Sequence, residues 1–211
     1  MATMPEDPLL RRIAEFAGAK RRQPLSETGI NALTIRLIDA MACAALARAD
    51  EDSQSLATSF ASPAGTASLI GGGKASADDA AFLNSFLIRK LDWNDTYIGK
   101  NGGHPSDFIG AVLAAGESHG KSGLETLRAI AIGTHVMLDL CDAASAISRG
   151  WDPSTYVGIA ATVAIACVLD LDEVQIANAV AMTVVSRNML LARTGRVSTW
   201  KSLASASAVR D

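Results

Sequence analysis

Charge is scarce in this chain of 211 residues: only 19% of positions carry it, and 19 Lys plus Arg against 22 Asp plus Glu leave a net of −3. So slight an imbalance gives no general pull toward nucleic acid or an anionic membrane surface, and leaves room only for a local basic pocket. Aromatic residues are few, at 5%, yet hydrophobic residues make up 49%, enough for a sizeable core and too many for intrinsic disorder. Cysteine is limited to Cys43, Cys141 and Cys167, an odd number without a C-x-x-C pair. That excludes a disulfide framework and a local metal or iron–sulfur motif, and fits a reducing cytoplasm. The longest apolar runs, such as Tyr156 to Leu169, stop short of the ~18 residues of a membrane span. The first 22 residues place Glu6, Asp7 and Glu15 among arginines and show no export signal. The expectation is a cytoplasmic protein that binds neither membrane nor nucleic acid, of one domain or two small ones.

What is present is helical pattern. Alanine and leucine favour helices, and apolar residues recur at three- and four-residue spacing, so the predicted fold class is all-α, a bundle of about eight helices. A first helix is predicted from Pro8 to Ala19 with Asp7 as its cap, and a second from near Ser26 toward Arg48. From Asp50 to Gly73 the periodicity fades into a Ser-, Thr- and Ala-rich connector. Ser76 with Asp79 starts a helix toward Leu91, and Asp92 to Gly103 reads as a polar interruption. Pro105 opens a helix toward Ala115, and Ser122 with Glu125 forms a capping box for the next. After a turn at Gly150 to Pro153 come two almost wholly apolar helices, Ser154 to Leu169 and Val174 to Leu191, the second capped by Asp172. Apolar all round, both are expected at the centre of the bundle.

Two polar segments stand out. In the first, Leu91-Asp92-Trp93-Asn94-Asp95-Thr96-Tyr97 is followed by Gly102-Gly103-His104-Pro105-Ser106-Asp107. His104 falls at a predicted helix start, where an anion would also meet unpaired backbone N–H groups, and an imidazole can exchange protons near neutral pH. The plainer alternative is that Asp92 and Asp95 cap helix ends, Thr96 bonds the backbone and His104 is a surface cap. The second segment, Arg193 to Ser202, gathers Arg193, Arg196 and Lys201 beside glycine and hydroxyl residues. Such cations can hold a polycarboxylate or form a solvated basic turn.

LDWNDTY…GHPSD resembles the signature of the MmgE/PrpD family, and RTGRVSTWKSLASASAVR is similar to that family's lysine segment. LIDAMACAALA, ASLIGGGKASADDAAFLNSFLIRKLD and RGWDPST agree in the same order, so the resemblance spans nearly the whole chain. It implies a cofactor- and metal-independent pocket for di- or tricarboxylates, as in 2-methylcitrate dehydratase, cis-aconitate decarboxylase and an iminodisuccinate epimerase. By the same resemblance Asp92, Thr96, His104 and Lys201 are the site residues. Two departures matter: decarboxylase relatives carry a histidine where this chain has Trp151 or Asp152, and Lys201 is followed by Ser202 in place of glycine. Family members are longer, and a second α+β domain helps to close their pocket. The chain is therefore expected to be a single helical domain, 1–211, acting as a homodimer or with a companion chain that supplies the second domain. The competing expectation is a non-catalytic helical module.

Other residues read more plainly. His119 and His135 lie on helices without ligand partners in the sequence, and Gly71-Gly72-Gly73-Lys74 lacks the spacing of a phosphate loop. Trp93, Trp151 and Trp200 each neighbour a polar segment, either as pocket walls or as packing under turns.

Overall fold

The computed structural model describes residues 3–186, 189–191 and 199–210. Its helices are α1 Pro8–Lys20, α2 Glu27–Ala47, α3 Glu51–Phe60, α4 Ala77–Lys90, α5 Ile109–Ser118, α6 Gly123–Ala143, α7 Ser154–Val168, α8 Glu173–Ser186 and α9 Thr199–Ala208. Two antiparallel two-residue pairs, β1 Ala67–Ser68 with β2 Lys74–Ala75 and β3 Tyr97–Ile98 with β4 Gly102–Gly103, are the strands among the described residues. The fold is thus all-α, as the periodicity predicts.

The predicted caps are in place. Asp7 accepts from the N–H groups of Leu9 and Leu10, Ser26 from Gly29, Ser76 from Asp79, and Asp172 from Gln175. Ser122 and Glu125 bond each other's backbone in a full capping box. Each such cap is worth about 1 kcal/mol, so the boundaries are set locally.

The connector expected over Asp50 to Gly73 holds a helix, α3. Asp50 caps it through Asp52 and Ser53, and the Thr58 and Ser59 hydroxyls turn back onto the carbonyls of Gln54 and Ser55. Hydroxyl residues that read as loop formers have satisfied themselves inside the helix. The glycine run that follows is the bend between β1 and β2: Gly71, Gly72 and Gly73 all have positive φ, a region open to glycine at no steric cost.

Of the two helices expected at the centre, α7 is there, buried on eleven of its residues. α8 is not. It buries Ile176, Ala177 and Val180 but leaves Met182 and Val185 in solvent, and Leu190, expected in the same helix, instead bridges Trp151 in extended backbone. The second central helix is α4, buried without a break from Ala80 to Arg89. Asn84, Ser85 and Arg89 lower its average apolarity, yet Asn84 and Arg89 are buried because they are bonded: Asn84 accepts from the Ile70 N–H at 2.9 Å and donates to the Ser68 carbonyl at 2.9 Å, and Arg89 pairs with Asp92 and Asp107. Around them Phe86, Leu83, Leu87 and Ile88 are fully enclosed, each contributing roughly 1.5–3 kcal/mol. α4 packs against α2, α3, α5 and α9, and α7 against α5, α6, α8 and α9. At the α4–α5 crossing a side chain on Gly110 would lie 2.6 Å from the Ser85 nitrogen, so only glycine permits this approach.

α2 departs from the reading of apolar runs in another way. At 21 residues, with an 18-residue stretch whose mean hydropathy is 1.5, it is long and apolar enough to cross a membrane, by length and composition alone. Arg36 and Asp39 interrupt it midway, Arg36 pairs with Asp95 at 3.3 Å, and Ile35, Ile38 and Leu46 face outward. The three cysteines are free and buried.

Candidate functional site

α4 ends at the site. Asp92 follows the C-cap residue Leu91 with φ of 59°, in the left-handed conformation that terminates helices and that aspartate tolerates better than most residues. Its carboxylate then faces back over the helix end. Arg89, one turn earlier, donates to Asp92 Oδ1 and pairs through Nε with Asp107 Oδ2 at 3.4 Å. Lys201, from the first turns of α9, donates to Asp92 Oδ2. One carboxylate is therefore shared by two cations that lie 112 positions apart in sequence.

The loop after Asp92 folds through the β3–β4 pair and returns as His104. Its Nδ1 lies 2.8 Å from the Asp95 carbonyl oxygen, which can only accept, so Nδ1 bears the hydrogen. Nε2 is then the nitrogen left to exchange a proton, and it faces Asp92 Oδ1 at 3.9 Å. Thr96 Oγ1 sits 3.4 Å from the same ring. The structure thus brings together Asp92, Thr96, His104 and Lys201, the four residues expected from the sequence.

The helix start at His104 does not offer the expected anion site. A 3₁₀ turn, Pro105–Phe108, comes first; Pro105 has no N–H, Ser106 donates to Asp95 Oδ1 at 2.9 Å and Asp107 donates to the His104 carbonyl at 3.1 Å. Its first donors are already taken. Asp95 is a cap and an Arg36 partner, as the plainer reading of the loop anticipates. Trp93 is 72% exposed, so it walls no pocket. The residues Arg193 to Ser198 of the second segment, and the side chain of Trp200, lie outside the described residues. His119 bonds the Ala115 carbonyl at the end of α5, and His135 stacks on Phe16.

Sequence reasoning missed the floor of the site. Arg89 is 4% exposed, and Asp107 beneath it pairs with Arg89 and accepts from Asn94 and Ser205. An arginine inside the apolar run of α4 was the available signal, because a cation there must find a carboxylate. Arg89, Asp107 and Ser205, together with Asp152, Ser154 and Val157 at the start of α7, line a cavity of about 280 Å³. Asp152, one of the two positions at which the decarboxylase histidine falls, is buried there and accepts from the Ser154 N–H. Among the described residues no group of His, Cys, Asp or Glu is arranged to hold a metal.

The electrostatics are lopsided. Burial alone would raise the Asp92 carboxyl, but hydrogen bonds from Lys201 and Arg89 and their charges outweigh it and hold it at about 2. Burial pushes the Asp107 carboxyl up, against the pull of Arg89 and His104 and the bonds from Ser205 and Asn94. Because Asp92 lies below its ordinary 3.8 in the folded state, its stabilisation is complete above that pH and is lost as pH falls toward 2. The expected contribution is about 2 kcal/mol. In urea unfolding, Asp92→Asn should be less stable than the parent at pH 5 by that order and nearly equal to it close to pH 2. An equal gap at both pH values would contradict the assignment.

The chain matches the family described as MmgE/PrpD N-terminal domain over residues 11–211. It is similar to proteins named 2-methylcitrate dehydratase. That of Salmonella typhi is 34% identical over 113 residues, covering 49% of this chain and 23% of the relative. Those of Escherichia coli (strain K12) and Cupriavidus necator are 32% and 31% identical over 113 residues, with the same coverage. The matched part of the chain therefore spans about a quarter of the length of these curated relatives.

Proposed function

Because the chain belongs to the MmgE/PrpD family, through its N-terminal domain, we propose that it supplies the acid–base and anion-holding part of a carbon–oxygen lyase site of the 2-methylcitrate dehydratase type. The substrate class is a hydroxy di- or tricarboxylate. The observation that carries the reading is that Thr96, His104 and Lys201 line one cavity while Asp92 accepts from Lys201 and faces His104 Nε2 at 3.9 Å.

Dehydration removes a weakly acidic C–H beside a carboxylate while the neighbouring hydroxyl leaves as water, so the site must stabilise an enolate-like dianion. Lys201 exchanges Asp92 for a substrate carboxylate and neutralises part of that charge. His104 Nε2 takes the carbon-bound proton, since Nδ1 is committed to Asp95. The electron pair of the broken C–H bond forms the double bond as the C–O bond breaks, and the departing hydroxide is protonated by the imidazolium or by Lys201. Asp92, ionised throughout the neutral range, holds Lys201 until the substrate binds and then orients the substrate hydroxyl, with Thr96 beside His104. No step calls on a cofactor.

Lys201 and Arg89 meet three carboxyl groups, Asp92, Asp107 and Asp152, so the described residues of the site hold no cationic excess for a tricarboxylate. A second domain carried by a companion chain or by another copy would supply it. Closure by such a domain also excludes water, which is where electrostatic stabilisation gains strength.

The test is to mix the purified chain with 2-methylcitrate or citrate and follow the ultraviolet absorbance of the unsaturated product, with and without the second domain of a relative. Turnover that appears on adding that domain supports the proposal. Absence of turnover in both, with the acid bound, favours the second reading, a non-catalytic helical module that dimerises. The outward aliphatic residues of α2 and α8 are the observation in favour of that reading.

A further inference from the structure

At the opposite end of α7 from the candidate site, a second cavity of about 230 Å³ gathers Arg21, Arg22, Lys121, Glu125, Arg128 and Asp170. Four cations meet two carboxylates there, an excess of two positive charges in a chain whose net charge is −3. The carboxylates do not serve the arginines. Asp170 pairs with Lys121, and Glu125 accepts from the Ser122 N–H and hydroxyl in the capping box of α6. Arg21 donates to the Leu171 carbonyl at 2.6 Å, and Arg128 reaches only the Arg21 carbonyl at 3.5 Å. Carbonyls fix these guanidiniums in place and leave their charge uncompensated. Arg128 Nε is buried without a hydrogen-bond partner, an unmet charged donor of the costly kind. Arg22 is exposed.

We propose that this pocket binds a compact tetrahedral oxyanion, inorganic phosphate or the head of a phosphate monoester. Three guanidiniums from α6 and from the turn after α1 present planar forks that suit phosphate oxygens. The ligand's charge of about −1.5 to −2 at neutral pH matches the local excess. The proposal is independent of the lyase reading, since α7 separates the two cavities: Val157 lines one and Cys167 the other, roughly 15 Å apart along the helix.

The experiment is isothermal titration of the full chain at low salt with sodium phosphate, glycerol phosphate and citrate. Expected is one phosphate per chain, with affinity falling as salt rises. Arg22→Gln should weaken binding roughly tenfold, and the Arg22→Gln/Arg128→Gln double variant should abolish it. Lys201→Ala should leave it unchanged. Tighter binding of glycerol phosphate assigns the ester, tighter inorganic phosphate the free ion; either supports the pocket. No saturable phosphate binding, binding unaffected by Arg22→Gln, loss in Lys201→Ala, or binding of citrate alone would overturn it. Arg22 is on the surface, so its variant stays folded and decides the outcome even if Arg128→Gln unfolds the chain.

Discussion

Arg89→Met should cost this fold about 3–5 kcal/mol, read as a lower urea midpoint at neutral pH. Methionine fills much of the arginine's volume, so the loss is electrostatic more than steric. Asp107 would remain buried with Asn94 and Ser205 as its donors and without its ion-pair partner. Domains of this kind are stable by only about 5–15 kcal/mol, so the variant should sit near the edge of unfolding. Adding Asp107→Leu should return part of the loss, because the uncompensated charge goes while Asn94 and Ser205 lose an acceptor. A cost below about 1 kcal/mol for Arg89→Met would mean that the pair behaves as a surface ion pair, contrary to its burial.

His104→Gln should lower turnover of the completed enzyme by about 10²–10⁴ and move stability by less than about 1 kcal/mol. The amide can still donate to the Asp95 carbonyl, so the loop should keep its course. What it cannot do is carry a proton at the position of Nε2. Asp92, held at about 2, is no substitute base. Turnover within threefold of the parent would move the proton-transfer role elsewhere, with Lys201 the first candidate.

Local chemistry explains what the sequence made legible. Asp7, Ser26, Ser76, Ser122 with Glu125, and Asp172 each bond a backbone group within four residues, so their effect is readable in a short window. The four proposed site residues came from a resemblance in two motifs, and their proximity is a property of the fold. What stayed hidden depends on contacts at long range. α4 looks too polar to be central because Asn84 and Arg89 find partners at Ser68, Ile70 and Asp107, which no periodicity announces. α8 looks central because it is apolar, but nothing among the described residues covers Met182 or Val185. α3 is hidden by hydroxyl residues whose helical bonds are identical in type to those of a turn.

The Asp92–Lys201 contact joins residues 109 positions apart. Closing so long a loop carries an entropic cost that local helices do not meet, and contacts of this span are late events in folding. α1 through α8 can take shape as the chain lengthens, whereas the acid–base cluster awaits α9. Chemical competence is thus coupled to the final docking step, and a partly folded or nascent chain holds His104 and Asp92 without the ammonium that completes them.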